Sequence, residues 1–106
     1  MEKTFVYNGA KYTLTYTLDS VRRMENNGFI LEEIETKPAT AIPQLFAGAL
    51  IAKHKHLTSE KINELWKALP GKDRLITELI RMYSNTVQQV IDEPDDEKNA
   101  ATEVNW

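Results

Sequence analysis

The stretch TAIPQLFAGALIAK, from Thr40 to Lys53, decides the fold. Between its two ends only Gln44 and Gly48 interrupt a run of apolar residues. A helix of this composition has almost no polar face, and such helices are normally buried on every side. It is too short to cross a bilayer, which takes about 20 apolar residues. Either the other elements of the chain surround this helix, or a partner covers it.

Capping and periodicity place this helix and the two that follow it. Thr40 can cap the apolar helix, which we expect over about 41–55, with Pro43 in the first turn where a missing N–H is tolerated. Thr58 or Ser59 can cap a further helix over 59–69, which Pro70-Gly71 ends. Apolar residues at helical spacing then predict a last helix over 73–91.

The N-terminal part of the chain predicts a β-hairpin over 4–16. Two runs rich in aromatic and β-branched residues flank Asn8-Gly9, a dipeptide that suits a type I′ turn because both of its residues tolerate positive φ. Alternation collects the aromatic side chains and Leu14 on one face, and that face must pack on helices. Asp19 or Thr17 can cap a short helix over 19–27, which ends near Gly28.

These elements predict an α+β fold that is mainly α, with the hairpin packed on a bundle of about four helices in one domain, residues 1–91. From Asp92 onward the periodicity stops, and residues 92–106 carry six acids and one base, a net charge of −5. One large aliphatic residue, Val104, cannot offset the cost of ordering this segment, so we predict a flexible acidic tail. Trp106, alone at the end of the tail, could anchor a partner.

Composition and charge predict an ordinary soluble protein that binds neither nucleic acid nor a membrane. Hydrophobic residues make up 42% of the chain and charged residues 27%, which is ordinary for a soluble globular protein. There is no cysteine, and the N-terminus has no apolar signal region, so we expect a cytoplasmic protein. The body has a net charge of +2, with no basic patch for nucleic acid and no membrane segment.

No group of residues predicts a catalytic, cofactor or metal site. His54 and His56 lie two positions apart, so on a helix they point to different faces rather than forming an i, i+4 metal pair. The glutamates between 32 and 35 show no sign of a desolvated cleft, and we interpret them as an exposed face. One alternative stays open: a small regulatory or inhibitor protein, for which DNA binding through the last two helices is one mode of action.

The order of these elements resembles a known family. An aromatic hairpin leads through Asn27-Gly28-Phe29 and a Pro-containing connector to the apolar helix; the last helix, LITELIRMYSNTVQQVI, precedes an acidic tail that ends near a Trp. This order is similar to that of the small tail assembly chaperones of long-tailed phages and prophages of Gram-positive bacteria. The resemblance implies a non-enzymatic protein of the host cytoplasm that is absent from the mature virion. It would bind the tape measure protein, keep it soluble and help to recruit tail tube protein.

A chaperone of this kind needs apolar surface that a client can occupy reversibly. We predict that Phe46 and Leu50, or the outer side of the last helix at Met82 and Tyr83, contribute to it, together with Trp106. The other interpretation of Phe46 and Leu50 is that both are core residues. A homo-oligomer also stays open, because a like subunit could cover the apolar helix.

Overall fold

A computed structural model describes residues 1–92 and 103–106 of the chain. Within these residues it confirms the α+β, mainly α fold: a two-stranded antiparallel hairpin followed by five helices. The strands are β1 (Lys3–Tyr7) and β2 (Ala10–Leu14). The helices are α1 (Leu18–Asn26), α2 (Glu33–Thr36), α3 (Pro38–Ile51), α4 (Ser59–Ala68) and α5 (Lys72–Gln88).

The hairpin turns at Asn8-Gly9, as the sequence predicts. Asn8 has φ 50° and Gly9 has φ 80°, the positive values that a type I′ turn requires. The inward face carries Phe5, whose ring stacks on that of Tyr12 with centroids 5.3 Å apart, and the buried Leu14. This apolar face packs on the helices, which supplies the support that an isolated hairpin lacks.

The outer edge of β2 and the residue after it are bonded to the C-terminal part of α3 and to the turn that follows α3. The backbone N–H of Thr13 donates to Nε2 of His54 over 2.9 Å, and the N–H of Thr15 donates to the carbonyl of Ala49 over 3.0 Å. These bonds satisfy groups that an edge strand would otherwise leave open. They fix the hairpin against the central helix.

Helix α3 is the centre of the molecule, and the chain itself surrounds it. It contacts β2 and all four of the other helices. Leu45, Phe46, Ala49 and Leu50 are each at most 1% exposed. The sequence left open whether the chain or a like subunit covers this helix; within the described residues the monomer provides the cover.

The bounds of α3 differ from the predicted 41–55 with a cap at Thr40. The helix begins at Pro38, and Lys37 before it has φ −136° and ψ 60°. Proline suits the first helical position because its fixed φ is already helical and its missing N–H is not needed there. Pro43 therefore lies inside the helix rather than in its first turn. The end falls at Ile51, so His54 lies beyond the helix, where it bonds to β2.

The other helices lie close to their predicted positions. Thr17 caps α1 in a reciprocal capping box with Ser20, which decides between Thr17 and Asp19. Thr58 caps α4 by accepting from the N–H of Lys61 over 3.1 Å. Helix α5 ends at Gln88, three residues short of the predicted 91, because the β-branched residues that follow find no core to pack on and stand exposed.

The tail falls mostly outside the described residues. Residues 93–102 make up most of the predicted flexible tail, 92–106, and they lie outside the residues that the structure describes. Asp92 and residues 103–106 are exposed. Among the described helices, none combines the length and the apolar character needed to cross a membrane.

Candidate functional site

An apolar groove lies between α1, the connector 29–32 and the end of α5. Its volume is about 720 Å³. Val21, Phe29 and Tyr83 line it and are almost fully buried, so they form its floor. We call this feature the C-terminal groove.

The rim of the C-terminal groove is apolar and exposed. It consists of Ile30 (51% exposed), Val87 (38%), Val90 (64%) and Ile91 (70%). These four are half of the eight large hydrophobic side chains that stand exposed in the described part of the chain. Isolated exposed apolar residues are normal, but a contiguous group around a concave surface marks an interaction site.

Local backbone geometry explains how the connector forms one wall of the groove. Gly28 adopts φ 91°, which ends α1 and turns the chain back. The N–H of Phe29 donates to the carbonyl of Met24 over 2.9 Å, and its ring meets that of Tyr83 edge-on, with centroids 5.2 Å apart. Since Phe29 points inward, its neighbour Ile30 is left pointing out to solvent.

The polar side chains at the groove carry both signs of charge, with acids in excess. Arg22, Glu25 and Glu32 line it, and none of the three forms an ion pair with another described residue. Burial raises the pKa of the Tyr83 hydroxyl, and the charges of Glu25 and Glu32 raise it further. Tyr83 therefore stays a neutral hydrogen-bonding group beside two carboxylates.

Four of the five residues predicted to contact a partner lie in the core. Phe46 is 1% exposed, Leu50 0%, Met82 2% and Tyr83 5%, so in this conformation Phe46, Leu50 and Met82 offer a client no surface. Tyr83 lies in the floor of the groove, whereas the sequence predicted it on the outer side of the last helix. Trp106 is fully exposed, and its role as an anchor stays a prediction.

Sequence reasoning missed the rim. Val87, Val90 and Ile91 recur at the helical spacing that predicted the last helix, and Ile30 lies in the connector before the apolar helix, so neither pattern distinguished these residues from core residues. The composition carried a signal, since Val90 and Ile91 stand directly before an acidic segment with few apolar residues. An apolar helix end followed by such a segment is a candidate binding surface.

The groups considered for metal or DNA binding have other partners. Nε2 of His54 accepts the Thr13 N–H, while His56 is exposed, and no cluster of three or more metal-ligating side chains occurs among the described residues. On α5, Nε of Arg81 donates to the carboxylate of Glu78, which offsets positive charge that DNA binding would need. The DNA-binding alternative stays a prediction that none of these contacts favours.

Comparison with known proteins gives a family and no function. A family model described as a domain of unknown function (DUF5055) matches residues 2–106. No curated protein and no solved structure matches the chain.

Proposed function

The chain belongs to the family described as a domain of unknown function (DUF5055), and we propose that it is a tail assembly chaperone of a long-tailed phage or prophage. In this role it binds the tape measure protein in the host cytoplasm, keeps it soluble and helps to recruit tail tube protein. It works by non-catalytic contact and leaves before the virion matures.

One observation carries the proposal: four exposed apolar side chains converge on the rim of a concave apolar surface. Ile30 approaches from the connector, and Val87, Val90 and Ile91 approach from the end of α5. A groove of this form suits one face of an amphipathic helix, which inserts apolar side chains at helical spacing. A long, helical and apolar client such as a tape measure protein offers many such faces.

The expected binding free energy suits reversible binding of a client. Complete burial of a Val or Ile side chain stabilises by about 1.5–3 kcal/mol. Scaled by their exposed fractions, the four rim side chains together offer about 3–7 kcal/mol. An equal contribution from the client gives about 7–13 kcal/mol, and ordering and association costs of at least about 4 kcal/mol then leave a dissociation constant in the micromolar range or weaker. A chaperone that must later release its client needs an affinity of this order.

The acidic tail supplies the second property that the role requires. Residues from Asp92 onward carry a net charge of −5, directly after the rim residue Ile91. Many copies bound along one client would surround it with like charge, which opposes aggregation of the complex.

Co-expression tests the proposed function. The tape measure protein from the genome that encodes this chain is produced as fragments, alone and with the chaperone, and the soluble yield of each fragment is measured. We expect the chaperone to raise the yield and to co-purify with at least one fragment. If no fragment gains solubility or co-purifies, the proposed function is wrong.

A matched pair of variants connects this result to the groove. Replacing Val90 and Ile91 together by Ser removes exposed apolar surface at the rim, whereas Val6→Ser removes an equally exposed side chain (69%) from the hairpin. Neither variant disturbs the core, so both should unfold within about 0.5 kcal/mol of the wild type. Only the rim variant should lose the gain in soluble yield; equal loss in both would contradict a role for the groove.

A further inference from the structure

We propose that the occupant of the C-terminal groove is an amphipathic helix with Lys or Arg residues flanking its apolar face, held by Glu25 and Glu32. This inference rests on the proposed function only in taking the groove as the client site. It adds the charge of the client segment, which the apolar rim alone does not specify.

The carboxylates of Glu25 and Glu32 lie at the groove, where they can contact charged side chains that flank the apolar face of a bound helix. Glu25 belongs to the last turn of α1, and Glu32 ends the connector that begins at Phe29. Both line the groove and both are exposed. Four acids of the described residues form ion pairs, for example Glu33 with Lys37 over 3.2 Å, and Glu25 and Glu32 are among the acids that do not.

The field around the groove is negative beyond these two residues. Arg22, one turn earlier on α1, is the single cation among the lining residues, against Glu25 and Glu32. Asp92 follows the rim directly and is exposed, and the sequence after it is strongly acidic. An occupant with flanking bases is therefore attracted, and one with flanking acids is repelled.

The same charges disfavour the two occupants that the chain itself could supply. The tail after Ile91 is acidic and would approach Glu25 and Glu32 against repulsion. A second copy offers Val104 and Trp106 on the same acidic segment, or its own rim, which would bring a second Glu25 and Glu32 against the first pair. A separate partner with basic flanks fits better than either.

Two synthetic peptides test the charge preference with the full chain. Each has about 18 residues, roughly five helical turns, and the same face of Leu, Ile and Ala; one carries Lys and Arg on the flanks, the other Glu. Titration calorimetry gives both affinities at low and high salt. We expect the basic peptide to bind more tightly, with a preference that shrinks as salt rises because these carboxylates are exposed.

Charge variants assign the preference to named residues. Replacing Glu25 and Glu32 together by Gln should lower the affinity for the basic peptide about fivefold, because two exposed ion pairs contribute about 1 kcal/mol in total. The same variant should have a higher affinity for the acidic peptide. Replacing Glu2 and Glu60 by Gln changes the net charge equally, at exposed positions that do not line the groove. This control should leave both affinities unchanged.

Three results would overturn the inference: equal affinity for the two peptides, an equal loss in the control variant, or a sign that the chain fills its own groove. The last would appear as tighter peptide binding after Trp106→Ala, or as a dimer in light scattering that the Val90 and Ile91 variant abolishes. The two proposals fail separately. If a tape measure fragment binds equally well with and without Glu25 and Glu32, only the inference about charge is wrong. If the basic peptide binds but no tape measure fragment does, only the proposed function is wrong.

Discussion

Replacing Leu50 by Ala tests whether the apolar helix serves the core or a client. Leu50 is 0% exposed and is among the largest fully buried side chains of the molecule. Truncating a buried Leu loses its transfer free energy and leaves a cavity, at a cost of about 2–5 kcal/mol. Against a total stability of roughly 5–15 kcal/mol for a domain of this kind, about 3 kcal/mol is a large loss. It corresponds to a fall in Tm of roughly 15 °C.

Urea unfolding followed by tryptophan fluorescence measures this loss. Trp66 reports on the core because its ring lies 4.9 Å from that of Phe46, whereas the exposed Trp106 adds a constant background. Gln44→Ala is the matched control, since Gln44 is exposed on the same helix and should change the free energy of unfolding by less than about 0.5 kcal/mol. If Leu50→Ala is as mild as the control and instead weakens client binding, Leu50 belongs to a client surface and the placement of α3 is wrong.

Three further predictions concern the framework of the groove. Gly48→Ala should lower the free energy of unfolding by about 1–2 kcal/mol despite the better helix propensity of Ala, because its Cβ would overlap the side chain of Met24; in urea unfolding the same substitution should cost less when both chains that are compared carry Met24→Ala. Thr17→Ala should cost about 1 kcal/mol in the same assay, because it removes the cap of α1; no change would contradict the capping box. Burial raises the pKa of Tyr16 above its ordinary value of 10.0, so the contribution of this group to stability should be constant below about pH 10 and fall above it, where the unfolded state releases the proton more easily; an equal fall in stability above about pH 10 in Tyr16→Phe would contradict this.

The elements with strong local chemistry could be predicted from the sequence. Asn8-Gly9 indicated the hairpin, because few residue pairs accept two positive φ values, and the structure has both. The almost unbroken apolar run indicated that α3 lies at the centre, and the structure buries it. Helix ends were harder to place: Pro38 and Thr40 are both good starting residues, and the hydrogen bond of His54 to β2, beyond the end of the helix at Ile51, is a tertiary contact that the local sequence does not show.

The sequence led us to expect exposed apolar surface, but not at the residues where the structure has it. Phe46, Leu50 and Met82 pack in the core and are buried. The rim residues Val87, Val90 and Ile91 share the same helical spacing as true core residues. Periodicity shows which residues share a face of a helix, but whether another element covers that face depends on tertiary packing. Near the end of α5 no element among the described residues does, and only the acidic composition of the segment after Ile91 indicates this in the sequence.

Hydrogen–deuterium exchange of the full chain, with and without a tape measure fragment, tests the central claim most directly. The claim is that a client segment occupies the C-terminal groove. We expect bound client to slow exchange in residues 29–32 and in the last turn of α5 with the residues after it, and to leave the hairpin and α4 unchanged. Protection that falls on β1 or α4, with none at the groove, would contradict the account.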